Sequence, residues 1–246
     1  MSPASPEGSK TQEAQPLLSI IVPVLEPDAE LDRCLMAIRA AFHGEGLPEV
    51  VIVTPRRFVS ILAARLSWVR VTADSRKGIY AAMNDGARAS RGRYLYFLGK
   101  DDIVLSAFSA AVDVLRSDAP FSLSCDVYWG DSGVQSGRPS RFSILVRNIC
   151  HQGIIYSRDA FERHGPYLRR MRVQADHLLN IKVLWDSSVA HPMRYFHRPI
   201  AWYSGAGFSD TNRDPVFWRT YPAILLRYVG LWASWLVRAS RCVRGR

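Results

Sequence analysis

The 246-residue chain is long enough for one large domain with extensions or two small ones, and a hydrophobic content of 48% supplies a core, which argues against a disordered chain. Its 32 Lys and Arg against 22 Asp and Glu leave a net charge of +10, which suggests an anionic partner: nucleic acid, a phosphorylated small molecule or an anionic membrane face. Four scattered cysteines (Cys34, Cys125, Cys150, Cys242) form no CxxC pair, so neither a zinc site nor a disulfide framework is indicated, and reduced thiols in a cytosolic protein are expected.

In chain order, residues 1–16 (MSPASPEGSKTQEAQP) are polar, lack the apolar core of a signal peptide, and are expected to be disordered. LLSIIVPV (17–24) is a continuous β-rich run, the pattern of a parallel strand buried on both faces. AELDRCLMAIRAAF (29–42) has helical apolar spacing, EVVIV (49–53) is a second buried strand, FVSILAARL (58–66) is helical and WVRVT (68–72) strand-like. GIYAAMNDGARASRG (78–92) predicts a helix with Gly92 as its C-terminal cap, followed by strand RYLYFL (93–98) and helix VLSAFSAAVDVLRS (104–117). This β-α alternation predicts an α/β domain with a mostly parallel sheet, whose ligands bind beyond the carboxyl ends of the strands. After about residue 120 the pattern loosens. SLSCDVYWGD (122–131) is strand-like, HQGIIYSRDAF (151–161) gives a strand and a short helix, QADHLLNIKVLW (174–185) is helical, and PIAWYSGAGFSD (199–210) runs from a strand into a glycine loop. No stretch reaches the ~18 uncharged apolar residues of a spanning helix.

Within YLYFLGKDDIVL two adjacent carboxylates, Asp101 and Asp102, stand at the mouth of a buried strand. Like charges side by side suit a hard divalent cation such as Mg²⁺ or Mn²⁺, which prefers carboxylate oxygens and bridges to phosphates. Alternatively Asp102 caps the helix that follows.

SIIVPV, KGIYAAMNDGARASRGRYLYFLGKDDIVL, VYWGD, CHQGIIYSRDAFERHGPY, QADHLLNIKV and the loop near SGAGFSD together resemble glycosyltransferase family 2 of the GT-A fold, as in bacterial enzymes of surface-polysaccharide synthesis. The resemblance covers roughly residues 17–210. It implies helices on both faces of the sheet, with a Rossmann-like nucleotide-binding half (17–117) and an acceptor half (118–215). It also implies a nucleotide-sugar donor, a saccharide or polyprenyl-linked acceptor, Mn²⁺ or Mg²⁺, and an inverting displacement. Asp102 and Asp101 then match the metal-and-donor motif, with Asp102 on the metal and Asp101 near the ribose or sugar. Asp176 matches the base that takes the acceptor proton, or is an ordinary acid at a helix start. Lys77 and Asp74 match the donor side. Asn84 and Gly86 match an N-x-G beneath the nucleotide, or act locally. His151 and Gln152 match a pocket-lining CHQ segment, or pack structurally. Asp131 is an acceptor contact or a loop acid, and Lys100 is a diphosphate neighbour or a solvated lysine.

The sequence also departs from the family. Thr54–Pro55 replaces an acid after the second strand, Arg76 and Ala81 replace two more, and Asp74 lies where it can compensate. Arg56, Arg57 and Arg76 can instead meet donor phosphates. The departures leave a catalytically degenerate nucleotide-sugar-binding homologue as the alternative.

Residues 216–246 carry three tryptophans and a basic end. Read as a helix from Pro222, they place Arg227, Ser234, Arg238 and Arg241 on one stripe. Such a helix either lies in a membrane interface, giving a cytoplasmic protein at the inner face of the membrane, or packs on the domain or a dimer contact. The arginines are dispersed and no nucleic-acid recognition motif is present, so no nucleic-acid partner is expected.

Overall fold

The computed structural model describes residues 14–42, 46–75, 77–205 and 214–232. The expectations for residues 1–13, for Arg76 and for 233–246 lie outside them. Among the described residues nine strands form one sheet: β1 (Leu18–Pro23), β2 (Glu49–Thr54), β3 (Arg70–Ala73), β4 (Tyr94–Phe97), β5 (Ile103–Val104), β6 (Ser122–Trp129), β7 (Val134–Gln135), β8 (Ile154–Ser157) and β9 (Arg194–Tyr203). The helices are α1 (Ala29–Ala41), α2 (Arg56–Arg65), α3 (Ile79–Ala89), α4 (Ala107–Asp118), α5 (Arg158–His164), α6 (Ala175–Leu184) and α7 (Pro215–Tyr228).

The sheet order is β3-β2-β1-β4-β8-β6-β9-β5, with β7 beside β6. From β3 to β4 every pairing is parallel. Beyond β4 the sheet is mixed, because β8 runs antiparallel to both β4 and β6. The expected mostly parallel sheet holds throughout the first half, and in the second half β6 and β9 are again parallel, so the sheet as a whole is largely parallel but partly mixed. Alternate residues of β1 face opposite layers. Ile21 packs with Val51, Val53 and Phe97 under α3, α6 and α7, while Ile20 and Val22 pack with Val50 and Ile52 under α1 and α4.

Close approach fixes two glycines. A Cβ on Gly86 would meet Ile21 Cγ2 at 2.3 Å, so only glycine lets α3 lie on β1 and β2. Gly92 is not the helix cap that its position suggested. α3 ends at Ala89, and a Cβ on Gly92 would stand 2.5 Å from the Ser19 amide nitrogen.

The single helix expected from residue 216 is interrupted. Asp214 caps α7 by accepting from the amides of Val216 and Phe217, and Phe217, Tyr221, Ile224 and Leu225 are buried in the core. The helix ends at Tyr228 and Gly230 has φ +114°, while Ser234, Arg238 and Arg241 of the expected stripe lie outside the described residues. Among the described residues no helix is long and apolar enough to cross a membrane.

Candidate active site

A cavity of about 1200 Å³ opens beyond the carboxyl end of β4, and its only acidic lining residues among those described are Asp101, Asp102 and Asp176. Three of the segments singled out in the sequence thus meet at one site.

The first wall is the turn that leaves β4. A Cβ on Gly99 would lie 2.6 Å from Asp102 Oδ2 and 2.8 Å from Asp101 Oδ1. Both carboxylates therefore fold back over the glycine, and a larger residue there would push them off. Asp102 is 1% exposed. Its Oδ2 accepts from the Gly99 amide (3.1 Å) and from Gln152 Nε2 (2.7 Å), and its Oδ1 accepts from the Ser204 amide (3.3 Å). Burial pushes its pKa from 3.8 up to about 7; the neighbouring Asp101 charge adds to the rise, and the hydrogen bonds oppose it. Asp101 is half-buried, and its Oδ2 accepts from Ser204 Oγ at 2.9 Å. Behind the pair, burial followed by the two carboxylates raises Cys34 to about 12.

Gln152 is buried and joins this wall to the sheet, since its carbonyl accepts from Tyr96 Oη at 2.8 Å. His151 lines the cavity and packs against Phe97 and Tyr167. Both of its ring nitrogens are buried with no partner among the described residues, and burial lowers its pKa against the pull of Asp176.

The second wall is helical. Asp176 lies in the first turn of α6, where a carboxylate also suits the helix dipole. It is 8% exposed. Its Oδ1 accepts from Tyr80 Oη (2.6 Å) and its Oδ2 from Asn148 Nδ2 (2.5 Å). Asn180 Nδ2 donates to Asn148 Oδ1 (2.9 Å), and Tyr156 Oη donates to Asn180 Oδ1 (2.6 Å). This buried chain holds the carboxylate with neutral donors. The sequence reading missed Tyr80, Asn148, Asn180 and Tyr156. Tyr80 lies in the GIYAAMNDG segment, which was a signal; Asn148 lies in a loop with none. Lys77, Arg147, Arg169, Arg170 and Arg172 are exposed along the cavity and have no carboxylate partner among the described residues.

Other expected site residues are placed elsewhere. Asn84 exchanges two hydrogen bonds with the Tyr167 backbone, donating to its carbonyl (2.9 Å) and accepting from its amide (3.0 Å), so its amide is spent inside the core. Gly86 is occupied by helix–sheet packing. Asp131 is exposed in a short turn and does not line the cavity, although Trp129 and Gln135 on either side do. Lys100 binds Asp28 and Glu30 at the start of α1, at 2.5 and 2.6 Å, and is therefore neither solvated nor free for a diphosphate. Arg57 pairs with Glu26. Asp74 is half-buried just past β3, outside the cavity lining. Its Oδ1, like Thr54 Oγ1 on the adjacent strand end, is buried with no partner among the described residues.

Among the described residues no group of three or more His, Cys, Asp or Glu side chains could hold a metal by itself. Two converging carboxylates nevertheless fit Mg²⁺ or Mn²⁺, which commonly take one or two protein carboxylates and complete their shell with water and substrate phosphates.

No family model matches the chain. It is 34% identical over 228 residues, 85% of each chain, to a PGL/p-HBAD biosynthesis glycosyltransferase of Mycobacterium bovis (strain BCG / Pasteur 1173P2), and equally to one of Mycobacterium tuberculosis (strain ATCC 25177 / H37Ra). Among solved structures it is similar to S. aureus TarS 1-349, with a TM-score of 0.64 at 13% identity over 86% of this chain and 66% of that one. For the complex of the same protein with UDP-GlcNAc the TM-score is 0.65 at 13% identity, over 86% and 67%. At such identity the likeness to TarS shows the fold alone.

Proposed function

The chain belongs to the bacterial glycosyltransferases of the family 2 type, and from that premise we propose that it moves a sugar from a nucleotide-sugar donor to a hydroxyl of a saccharide or lipid-linked acceptor, with inversion, in the synthesis of cell-surface polysaccharide. In this reading the fold is GT-A, with residues 17–117 forming the donor half. The observation that carries it is the meeting of the Asp101–Asp102 pair and Asp176 in the lining of one cavity.

An inverting transfer needs one carboxylate to take the proton from the attacking hydroxyl. A retaining double displacement would need a second, nucleophilic carboxylate. Outside the acid pair, Asp176 is the one carboxylate that lines the cavity among the described residues. Tyr80 and Asn148 each take one lone pair of the Asp176 oxygens, which leaves others for an acceptor hydroxyl.

Asp101 and Asp102 would hold the divalent cation, which when bound supplies charge neutralisation for the departing diphosphate. Asp101 leads in this assignment, contrary to the sequence expectation. It is the more exposed of the two, whereas Asp102 already accepts three hydrogen bonds. Lys77 suits the diphosphate. Thr54 and Asp74 offer buried, unpaired oxygens to a nucleoside that brings its own donors.

The test is a panel of UDP-, GDP- and dTDP-sugars with Mn²⁺ or Mg²⁺, following nucleoside diphosphate release as acceptors are added. Acceptor-stimulated release that Asp176→Asn abolishes is expected. Nucleotide binding without turnover across the panel would instead identify a degenerate homologue.

A further inference from the structure

Exposed apolar side chains gather beside the cavity, on the side of α6 and α7. The turn at 143–145 leaves Phe142 70% and Val146 79% exposed, and past the break at Gly230, Leu231 is 68% and Trp232 44% exposed. These segments are far apart in sequence but meet in space. The ring centroids of Phe142 and Trp232 are 6.0 Å apart, and those of Trp185 and Trp232 are 5.9 Å apart. Hydrogen bonds hold the platform. Tyr221 Oη donates to the Leu145 carbonyl, Trp185 Nε1 to the Arg141 carbonyl (3.2 Å), and Arg141 Nε to the Leu184 carbonyl (2.9 Å).

The frame is cationic. The Arg141 guanidinium lies over Trp185 at 5.8 Å, Lys182 and Arg227 lie over Tyr228, and Arg147 follows Val146. Arg141, Arg147 and Arg227 have no carboxylate partner among the described residues.

We propose that this surface docks on an anionic lipid bilayer, with Phe142, Val146, Leu231 and Trp232 entering the headgroup boundary and the arginines meeting lipid phosphates. Apolar tips flanked by arginine and lysine match such a surface. A second copy of the chain would set arginine against arginine across a two-fold axis. Arg147 and Asn148 line the cavity immediately after Val146, so docking brings the cavity mouth to the lipid surface. Access to a lipid-carried acceptor rests on the transferase reading; the docking surface itself does not.

The experiment is co-sedimentation of the full chain with vesicles of phosphatidylcholine alone or mixed equally with phosphatidylglycerol. Binding to the mixed vesicles, weakened by salt and by omission of phosphatidylglycerol, is expected. Phe142→Ser with Val146→Ser should lower partitioning about tenfold or more, and Leu231→Ser with Trp232→Ser likewise, while Phe142→Trp retains it. Unchanged melting temperatures show that the variants fold, and either pair alone suffices as the test. Wild-type protein left in the supernatant, unchanged partitioning in a folded double variant, or a dimer that the substitutions dissociate would each overturn the proposal. If vesicle binding behaves as expected but no nucleotide sugar shifts the melting temperature, the transferase reading fails and the docking surface stands.

Discussion

On the strand-end wall of the cavity Asp102 is buried beside another carboxylate, whereas on the helical wall Asp176 is clasped by a tyrosine and an asparagine. The first arrangement leaves ionised Asp102 short of compensation, and burial holds its proton up to about pH 7. The second surrounds the charge with neutral donors at a helix start. On the proposed reading, the contrast teaches that one wall waits for a cation to complete it and the other stands ready before substrate arrives.

The largest effect expected from breaking this contrast is at Asp176. Asp176→Asn should lower kcat by roughly 10²–10⁴, with nucleotide-induced thermal stabilisation intact, as general-base loss does. If that variant turns over at the wild-type rate, the helical wall is not the proton acceptor. Next comes Asp101→Ala, for which about a hundredfold loss of activity and a higher Mn²⁺ requirement are expected. An unaltered metal titration would remove Asp101 from the cation.

The third prediction concerns stability in metal-free protein. The folded state keeps the Asp102 proton up to about pH 7, while an unperturbed aspartate loses it near 3.8. Between those values the folded state binds more protons, so stability falls as pH rises through the window and levels off above it. The loss should be roughly 2 kcal/mol after relaxation and water softening, and Asp102→Asn should abolish the decline. Denaturant melts at pH 5 and pH 8 measure it; parallel declines in both proteins would contradict it. The smallest effect is on the other wall. Asn148→Ala should cost about tenfold in kcat with little change in donor KM, a hydrogen bond to a charged group being worth about 1.5–3 kcal/mol before water substitutes for it. A change in KM alone would show that Asn148 binds donor instead.

In the parallel half β1 and β2 were legible because they are continuous buried runs. LSIIVP is buried at every position, and EVVIVT at all but the first. The mixed half was less so. β5 and β7 are two residues long and exist only through pairing with β9 and β6, which no local pattern announces. β9 begins at Arg194, five residues before its apolar stretch, because its charged and only partly buried start is held by β6. At the site, Asp101, Asp102 and Asp176 were visible as acids at element ends. The choice left open for Asn84 could not be made from sequence because its amide is satisfied by a backbone 83 residues away, and Asn148 was missed because a loop asparagine has no periodicity to mark it.

The bond from Tyr80 on α3 to Asp176 on α6 joins residues 96 apart in sequence and on opposite halves of the chain. Any breathing that parts those helices takes away the hydroxyl and lets the carboxylate swivel. If Asp176 is the proposed base, an agape cleft would therefore hold it by Asn148 alone, and proton removal would be best served when the two halves are shut together.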